Sequence, residues 1–543
     1  MTKGITIARY LIQKLLQHGV GHVFGIPGDY IIRFWTAMTH SDLKYIVTTK
    51  EDAAGFAADA YARLNGLGAV CVTYCVGGFN VTNPIAGAYA EKSPVVVISG
   101  APGVKEREKN PLLHHKVRDF STQKEIFEKI TVASTLLNDP ETACSEIDRV
   151  IDMALRYKRP VYIEIPRDMI DMPCHIHKET VLHLEKDNLD VLKEALGEAR
   201  AMIQSAQRPV ILAGVELHRF NLQNLLLELV EKTHIPVVAT LLGKSVMSEV
   251  HPYYMGIYGG AMGREEVQEY VEASDCVIML GEFMTDVNLG IYTARLDQGC
   301  TINANSEKIW IRHHCFEEIS FEGFLKGLIQ LSMLKKNIHF PKLELQKEIH
   351  FTPKNSPIRV QRIFEAVNSI LDENMVVICD IGESLFGAID LVIHRRTEFL
   401  SPAYYTSMGF AMPAALGAQT ARPDLRPIVF VGDGAFQMTG MELSSILKCG
   451  LNPIVIVLNN HGYETERIIE EGPFNDIALW NFEKIPEVLG GGVGYKVKTE
   501  IEFMTALKDA LKKDCYTILD VELSIGDHSE ALDRLGKRLA RKL

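Results

Sequence analysis

Two apolar runs that end in polar residues constrain this chain most. RPIVFVGDGAFQMTG places Gly432-Asp433-Gly434 directly after one run, and NPIVIVLNNHGYETE places Asn459-Asn460 directly after the other. A helix is expected between them, from Thr439 to Lys448, which makes one strand–helix–strand unit. Asp433 and Asn460 then stand at the carboxyl ends of two strands, the edge where open parallel sheets bind ligands. A carboxylate with an amide carbonyl suits a hard cation that shares phosphate oxygens, which means Mg²⁺ rather than zinc. Gly432 and Gly434 let the backbone approach a phosphate with no Cβ in the way. The following helix offers free N–H groups to the anion.

The rest of the chain repeats this style of folding. At 543 residues it is too long for one core. Short apolar strands alternate with helical segments at 22–26, 69–74, 94–100 and 160–166, then 208–214, 235–240 and 275–281, then 375–380, 427–432, 453–460 and 516–523. Such alternation predicts an α/β protein of three open parallel-sheet domains. Periodicity fades over 167–190 and again over 335–357, so the expected domains are 1–180, 190–340 and 356–543. A net charge of −12 argues against a nucleic-acid surface. No long uncharged apolar run suggests a membrane span, and MTKGITIARYLIQKLLQHGV lacks the pattern of a secretory signal. Ten scattered cysteines without a CxxC fit a reduced, cytoplasmic protein.

A second constellation lies in the first domain. FGIPGDY places Asp29 in a strand-to-helix turn, and TTKEDAAGFAADAYAR places Glu51 at the start of an alanine-rich helix. Taken singly, Asp29 reads as an N-cap and Glu51 as a charge favoured by the helix dipole. NPLLHHKVRDF then adds adjacent His114 and His115 in a polar loop. Two histidines in a chain that also carries Asp29, Glu51 and the GDG–NN pair point to acid–base chemistry.

Along its whole length the chain resembles the thiamin-diphosphate-dependent 2-oxo acid decarboxylases, which act on pyruvate, indolepyruvate, phenylpyruvate or branched-chain oxo acids. FGIPGDY, KEDAAGFAADAYAR, AGAYAEKSPVVVISGAP, the histidine pair, the GDG–NN cassette and GYETE carry the likeness. The resemblance implies thiamin diphosphate and Mg²⁺, the cation held by Asp433, Asn460 and the carbonyl of Gly462. Gly432, Gly434, Ala435 and Tyr463 would join the cofactor site, with Met408 wedged between its rings and Thr406 offering a carbonyl. Glu51 would hydrogen-bond the aminopyrimidine and so promote the ylide. Asp29, His114, His115 and Glu466 would handle protons as CO₂ leaves, the enamine is protonated and the aldehyde is released. In this family the cofactor lies between the first domain of one subunit and the last domain of another. A homodimer is therefore the minimum, and a tetramer is expected.

The same likeness places Ile381, Leu385, Phe386, Thr465, Ile469, Leu535 and Leu539 at the substrate pocket. Pyruvate-specific members carry a Trp where Leu385 stands and an Ile where Thr465 stands. Each filled methylene is worth about 1–3 kcal/mol of discrimination. The smaller residues here favour branched-chain, aromatic or longer 2-oxo acids over pyruvate. The alternative is a thiamin-diphosphate carboligase that forms 2-hydroxyketones; the histidine pair argues against it.

Overall fold

Runs of β-branched residues such as PIVFVG and PIVIVLN can bury both faces only inside a helix-covered parallel sheet, and each becomes a buried strand. The computed structural model describes residues 5–176, 187–331, 335, 337–342, 350–394 and 398–539, with side chains described to Leu535. Three sheets result. The first runs, in spatial order, Lys44–Val47, His22–Gly25, Gly68–Val72, Val95–Ala101, Val161–Pro166 and Ala133–Leu136, all parallel. The third runs Glu398–Leu400, Met375–Cys379, Arg426–Gly432, Ile454–Asn459, Thr517–Glu522 and Val493–Val497, again all parallel.

The middle sheet departs from the expectation of purely parallel pairing. It runs His314–Phe316, Ile309–Ile311, Thr301–Ala304, Cys276–Leu280, Pro209–Ala213, Val237–Ala239 and Tyr254–Ile257, and its first two strands are antiparallel. Three- and four-residue strands joined by tight turns need no crossover helix, so they return antiparallel.

Helix boundaries also shift. The helix expected from Thr439 begins earlier, at Asp433–Thr439, passes through a tight turn at Gly440–Glu442 and resumes at Leu443–Lys448. The C-terminal helix is described over Glu530–Leu539. The expected linker over 167–190 gives way to a helix at Leu189–Ser205, capped by Asn188, whose side chain accepts from Val191 N.

The first and third sheets meet through two small-residue helices, Glu51–Asn65 and Ala411–Ala421. An ideal Cβ on Gly417 would stand 2.0 Å from the carbonyl oxygen of Ala57, so glycine permits this backbone approach. Buried Glu442 fixes the start of the first of these helices, accepting from Thr49 N at 3.1 Å and Thr49 Oγ1 at 2.6 Å. Lys92 reaches from the first sheet to Glu216 beside the middle one, a pair almost wholly buried. These contacts hold the loops at the strand ends in fixed relation.

Candidate active site

Strands Arg426–Gly432 and Ile454–Asn459 are neighbours, with Gly432 in register with Leu458. That pairing brings Asp433 and Asn460 side by side at the carboxyl edge. Asp433 is 1% exposed and accepts from Gly434 N at 2.8 Å and Gly462 N at 3.1 Å. Burial nevertheless pushes its carboxyl up to about 6, the backbone donors only partly opposing it. Asn460 is buried too, and among the described residues its Oδ1 has no hydrogen-bond partner. A buried acceptor left unmade is costly. An orphaned oxygen beside a carboxylate that burial destabilises is the donor set a hard dication would satisfy. The residues therefore fit Mg²⁺ with diphosphate.

The glycines divide their work. An added Cβ on Gly432 meets open space, so this position leaves room above the strand end. At Gly434 a Cβ would lie 2.5 Å from the Tyr463 ring, so its missing side chain seats Tyr463. Ala435 is buried beneath the same turn.

Asp380, which sequence reasoning missed, organises the neighbouring loop. Fully buried at the end of strand Met375–Cys379, it accepts from Ile381 N, Gly409 N and Ala411 N at 3.1, 3.1 and 2.9 Å. Burial raises its carboxyl to about 6. This anchor sets the segment holding Thr406 and Met408. Thr406 has φ of 53°, a left-handed conformation that costs a β-branched residue energy. Met408 is half-buried against the core cluster shared by the first and third sheets.

The other group gathers at the edge of the first sheet. Asp29 sits in the turn between His22–Gly25 and the helix Ile32–Thr39, whose N-cap is Ile31, so Asp29 is not a cap. Its Oδ2 lies 2.7 Å from His114 Nε2. His114 stacks on Tyr30 and meets His115 edge-on, with ring centroids 4.7 and 4.8 Å apart. Ligating atoms of Asp29, His114 and His115 all lie within 4.8 Å of one another. The Asp29–His114 pair is about half exposed, so solvent or a ligand reaches it. Glu51 opens its helix, and its Oε2 accepts from Asn80 Nδ2 at 2.9 Å.

Glu466 is exposed on the short helix Glu464–Ile469, which also carries a half-buried Thr465 and an Ile469 that is 76% exposed. Ile381 and Phe386 are half-buried, whereas Leu385 is 1% exposed and shares a core cluster with Leu535 of the C-terminal helix. The Leu539 side chain lies outside the described residues. Among the described residues, no hydrogen bond or ion pair joins Asp29, Glu51, His114 or His115 to Asp433, Asn460 or Glu466 of the same chain.

Family comparisons match this layout. Three models match in turn: thiamine pyrophosphate enzyme, N-terminal TPP binding domain, over residues 5–126; its central domain over 196–328; and its C-terminal TPP binding domain over 380–521. An indole-3-pyruvate decarboxylase of Azospirillum brasilense is 35% identical over 542 residues, covering 97% of each chain. A probable pyruvate decarboxylase of Schizosaccharomyces pombe is 31% identical, covering 98% of this chain and 95% of its own. An alpha-keto-acid decarboxylase of Mycobacterium tuberculosis is 31% identical, covering 95% and 94%.

Proposed function

The chain belongs to the thiamin-diphosphate-dependent 2-oxo acid decarboxylases, and within that family we propose that it releases aldehyde and CO₂ from branched-chain, aromatic or longer 2-oxo acids in preference to pyruvate. The cluster of Asp29, His114 and His115 carries this reading, because proton delivery to a product carbon separates aldehyde release from carboligation.

Asp433, the Asn460 amide oxygen and the Gly462 carbonyl would hold Mg²⁺, with Gly432, Gly434, Ala435 and Tyr463 framing the diphosphate. Thiamin diphosphate, when bound, supplies the electron sink that takes the bonding pair as CO₂ departs. The protein's own groups do the rest. Glu51, which accepts from Asn80, would hold a proton for the cofactor's pyrimidine ring, and Met408 and Thr406 would help to hold that ring. His114, whose Nε2 is hydrogen-bonded to Asp29, would share a proton with that carboxylate and act with it as the proton donor. Glu466 and His115 complete the proton-handling set. An apolar wall at Phe386, Leu385 and Leu535 excludes water from the departing carboxylate.

Among the described residues, no hydrogen bond or ion pair joins Asp29, Glu51, His114 or His115 to Asp433, Asn460 or Glu466 within one chain, which supports a homodimer in which each copy completes the other's site. Exposed apolar side chains beside both halves support it: Leu112 at 97% next to the histidines, and Ile469 and Phe474 next to Glu466. Pairing of two dimers into a tetramer extends the same reading. Thr465 and Leu385, smaller than the residues they replace in pyruvate-specific members, support the roomier pocket.

The test is aldehyde release coupled to an alcohol dehydrogenase, comparing pyruvate, 2-oxoisovalerate, 2-oxoisocaproate, phenylpyruvate and indolepyruvate with and without thiamin diphosphate and Mg²⁺. The expected outcome is fastest turnover on the larger acids, dependent on both additions. Best turnover on pyruvate would sink the pocket assignment.

A further inference from the structure

Two buried carboxylates outside the catalytic set grip one stretch of chain. Glu464, 4% exposed, accepts from Gly526 N at 2.8 Å through Oε1. Glu383, 6% exposed, accepts from Ser529 N at 2.9 Å through Oε1. The second oxygen of each, Oε2, is buried and has no hydrogen-bond partner among the described residues. Around Glu464 stand Arg467, with Nε 3.5 Å from Oε2, and His528, with Nε2 3.8 Å from Oε1.

Each carboxylate begins one of the two helices that bear the proposed pocket. Glu464 opens Glu464–Ile469, which carries Thr465, Glu466 and Ile469. Glu383 opens Glu383–Gly387, which carries Leu385 and Phe386. The two abut, since a Cβ on Gly382 would stand 3.0 Å from Thr465 Oγ1. The gripped residues, turned at Gly526 with φ of 80°, lead directly into the helix Glu530–Leu539. That helix buries Ala531, Leu532 and Leu535 in the cluster that contains Leu385, and Arg534 Nε donates to the Met262 carbonyl at 3.1 Å.

Burying an ionisable carboxyl is an expensive way to fix a turn, and among the described residues only Glu464 has a cation, Arg467, placed beside it in partial compensation. Two such groups on one turn, one from each pocket helix, make the turn answer to both helices. We propose that Glu383 and Glu464 are positioning residues that lock the 526–529 turn, so that the C-terminal helix stays closed over Leu385 and the substrate pocket. The proposal rests on the pocket assignment above for its kinetic consequence, but not for the clamp itself.

The experiment is amide hydrogen exchange over 526–535 with steady-state kinetics on Glu383→Leu, Glu464→Leu, Glu383→Gln and Glu464→Gln. Loss of the buried acceptor of a backbone N–H should speed exchange about tenfold. The Leu variants are expected to show that acceleration, and a KM for the best 2-oxo acid raised about tenfold with kcat changed less. Thiamin diphosphate affinity should stay as in the wild type. The Gln variants keep the accepting oxygen and nearly the same shape, so they should recover most of both effects and remain informative if a Leu variant fails to fold. Faster exchange with unchanged KM would reduce the carboxylates to structural groups and overturn the proposal. Unchanged exchange would overturn it outright. Exchange is read without substrate, so a wild-type enzyme that releases no aldehyde would refute the proposed function while leaving the clamp to be judged on exchange.

Discussion

Replacing Asn460 with Leu separates a ligand-holding oxygen from a structural one. In the wild type, Asn460 Oδ1 is buried without a hydrogen-bond partner among the described residues. Leaving such an acceptor unmade costs about 1–3 kcal/mol. Asn460→Leu removes the orphan and keeps a similar volume, so the protein without cofactor should hold its stability or gain about 1 kcal/mol. The ligand-bound protein should behave in the opposite way. At a cofactor concentration one hundred times Kd, binding stabilises the wild type by about 2.7 kcal/mol, and the variant should lose nearly all of that gain at the same concentration. Asn459 is the control, because its amide donates to buried Asp520 at 2.8 Å. Asn459→Leu strips a satisfied bond and should destabilise the cofactor-free protein by about 1–3 kcal/mol. The assay is thermal unfolding at one fixed scan rate, with and without thiamin diphosphate and Mg²⁺, comparing midpoints, since three sheets need not unfold as one unit. A cofactor-free Asn460→Leu protein less stable than wild type, with its ligand-induced shift intact, would refute the assignment of Asn460 to the cation.

Four further outcomes follow from particular residues. Burial holds the Glu383 carboxyl at about 7 against an ordinary 4.5, so its proton stabilises the fold fully below about pH 4.5, and that stability, about 3 kcal/mol, is lost as pH rises through about 7. Denaturant titrations of Glu383→Gln should show a flatter decline of stability across that window. Leu385→Trp should shift kcat/KM towards pyruvate by about tenfold or more, while overpacking a site only 1% exposed costs about 1–3 kcal/mol of stability; an unchanged substrate ratio would remove Leu385 from the pocket. Co-expressed Glu51→Gln and Asp433→Ala chains should regain activity that neither has alone, because a mixed dimer contains one intact site; no recovery would place the site within one chain. Gly417→Val pushes a side chain into the space where a Cβ already stands 2.0 Å from the Ala57 carbonyl. It should lower the denaturant midpoint by the equivalent of about 1–3 kcal/mol or more.

The parts of this molecule legible in sequence are those where composition and burial agree. PIVFVG and PIVIVLN are apolar on both faces because helices cover both faces, and their polar ends mark the sheet's binding edge. Lys44–Val47 and Val493–Val497 escaped notice because each lies at a sheet edge, half exposed, with no continuous apolar run. The helix at Asp433 was hidden by Gly434, which lowers helix propensity although the turn needs it. Asp380, Glu383, Glu442 and Glu464 are a different failure. An acidic residue in a loop or first turn reads as solvent-facing, and only the packing of distant segments makes these four buried acceptors. GES in IGESLFGA and GYE in GYETE carry no local sign that both glutamates bind one turn some 60 or more residues further on.

The most direct test of the central claim is the product balance for 2-oxoisocaproate or indolepyruvate, followed by NMR with purified enzyme, thiamin diphosphate and Mg²⁺. The Asp29–His114–His115 cluster predicts one free aldehyde for each CO₂ released, with His114→Ala lowering aldehyde release more than cofactor binding. CO₂ accompanied mainly by a 2-hydroxyketone would contradict the decarboxylase reading and assign the chain's chemistry to carboligation.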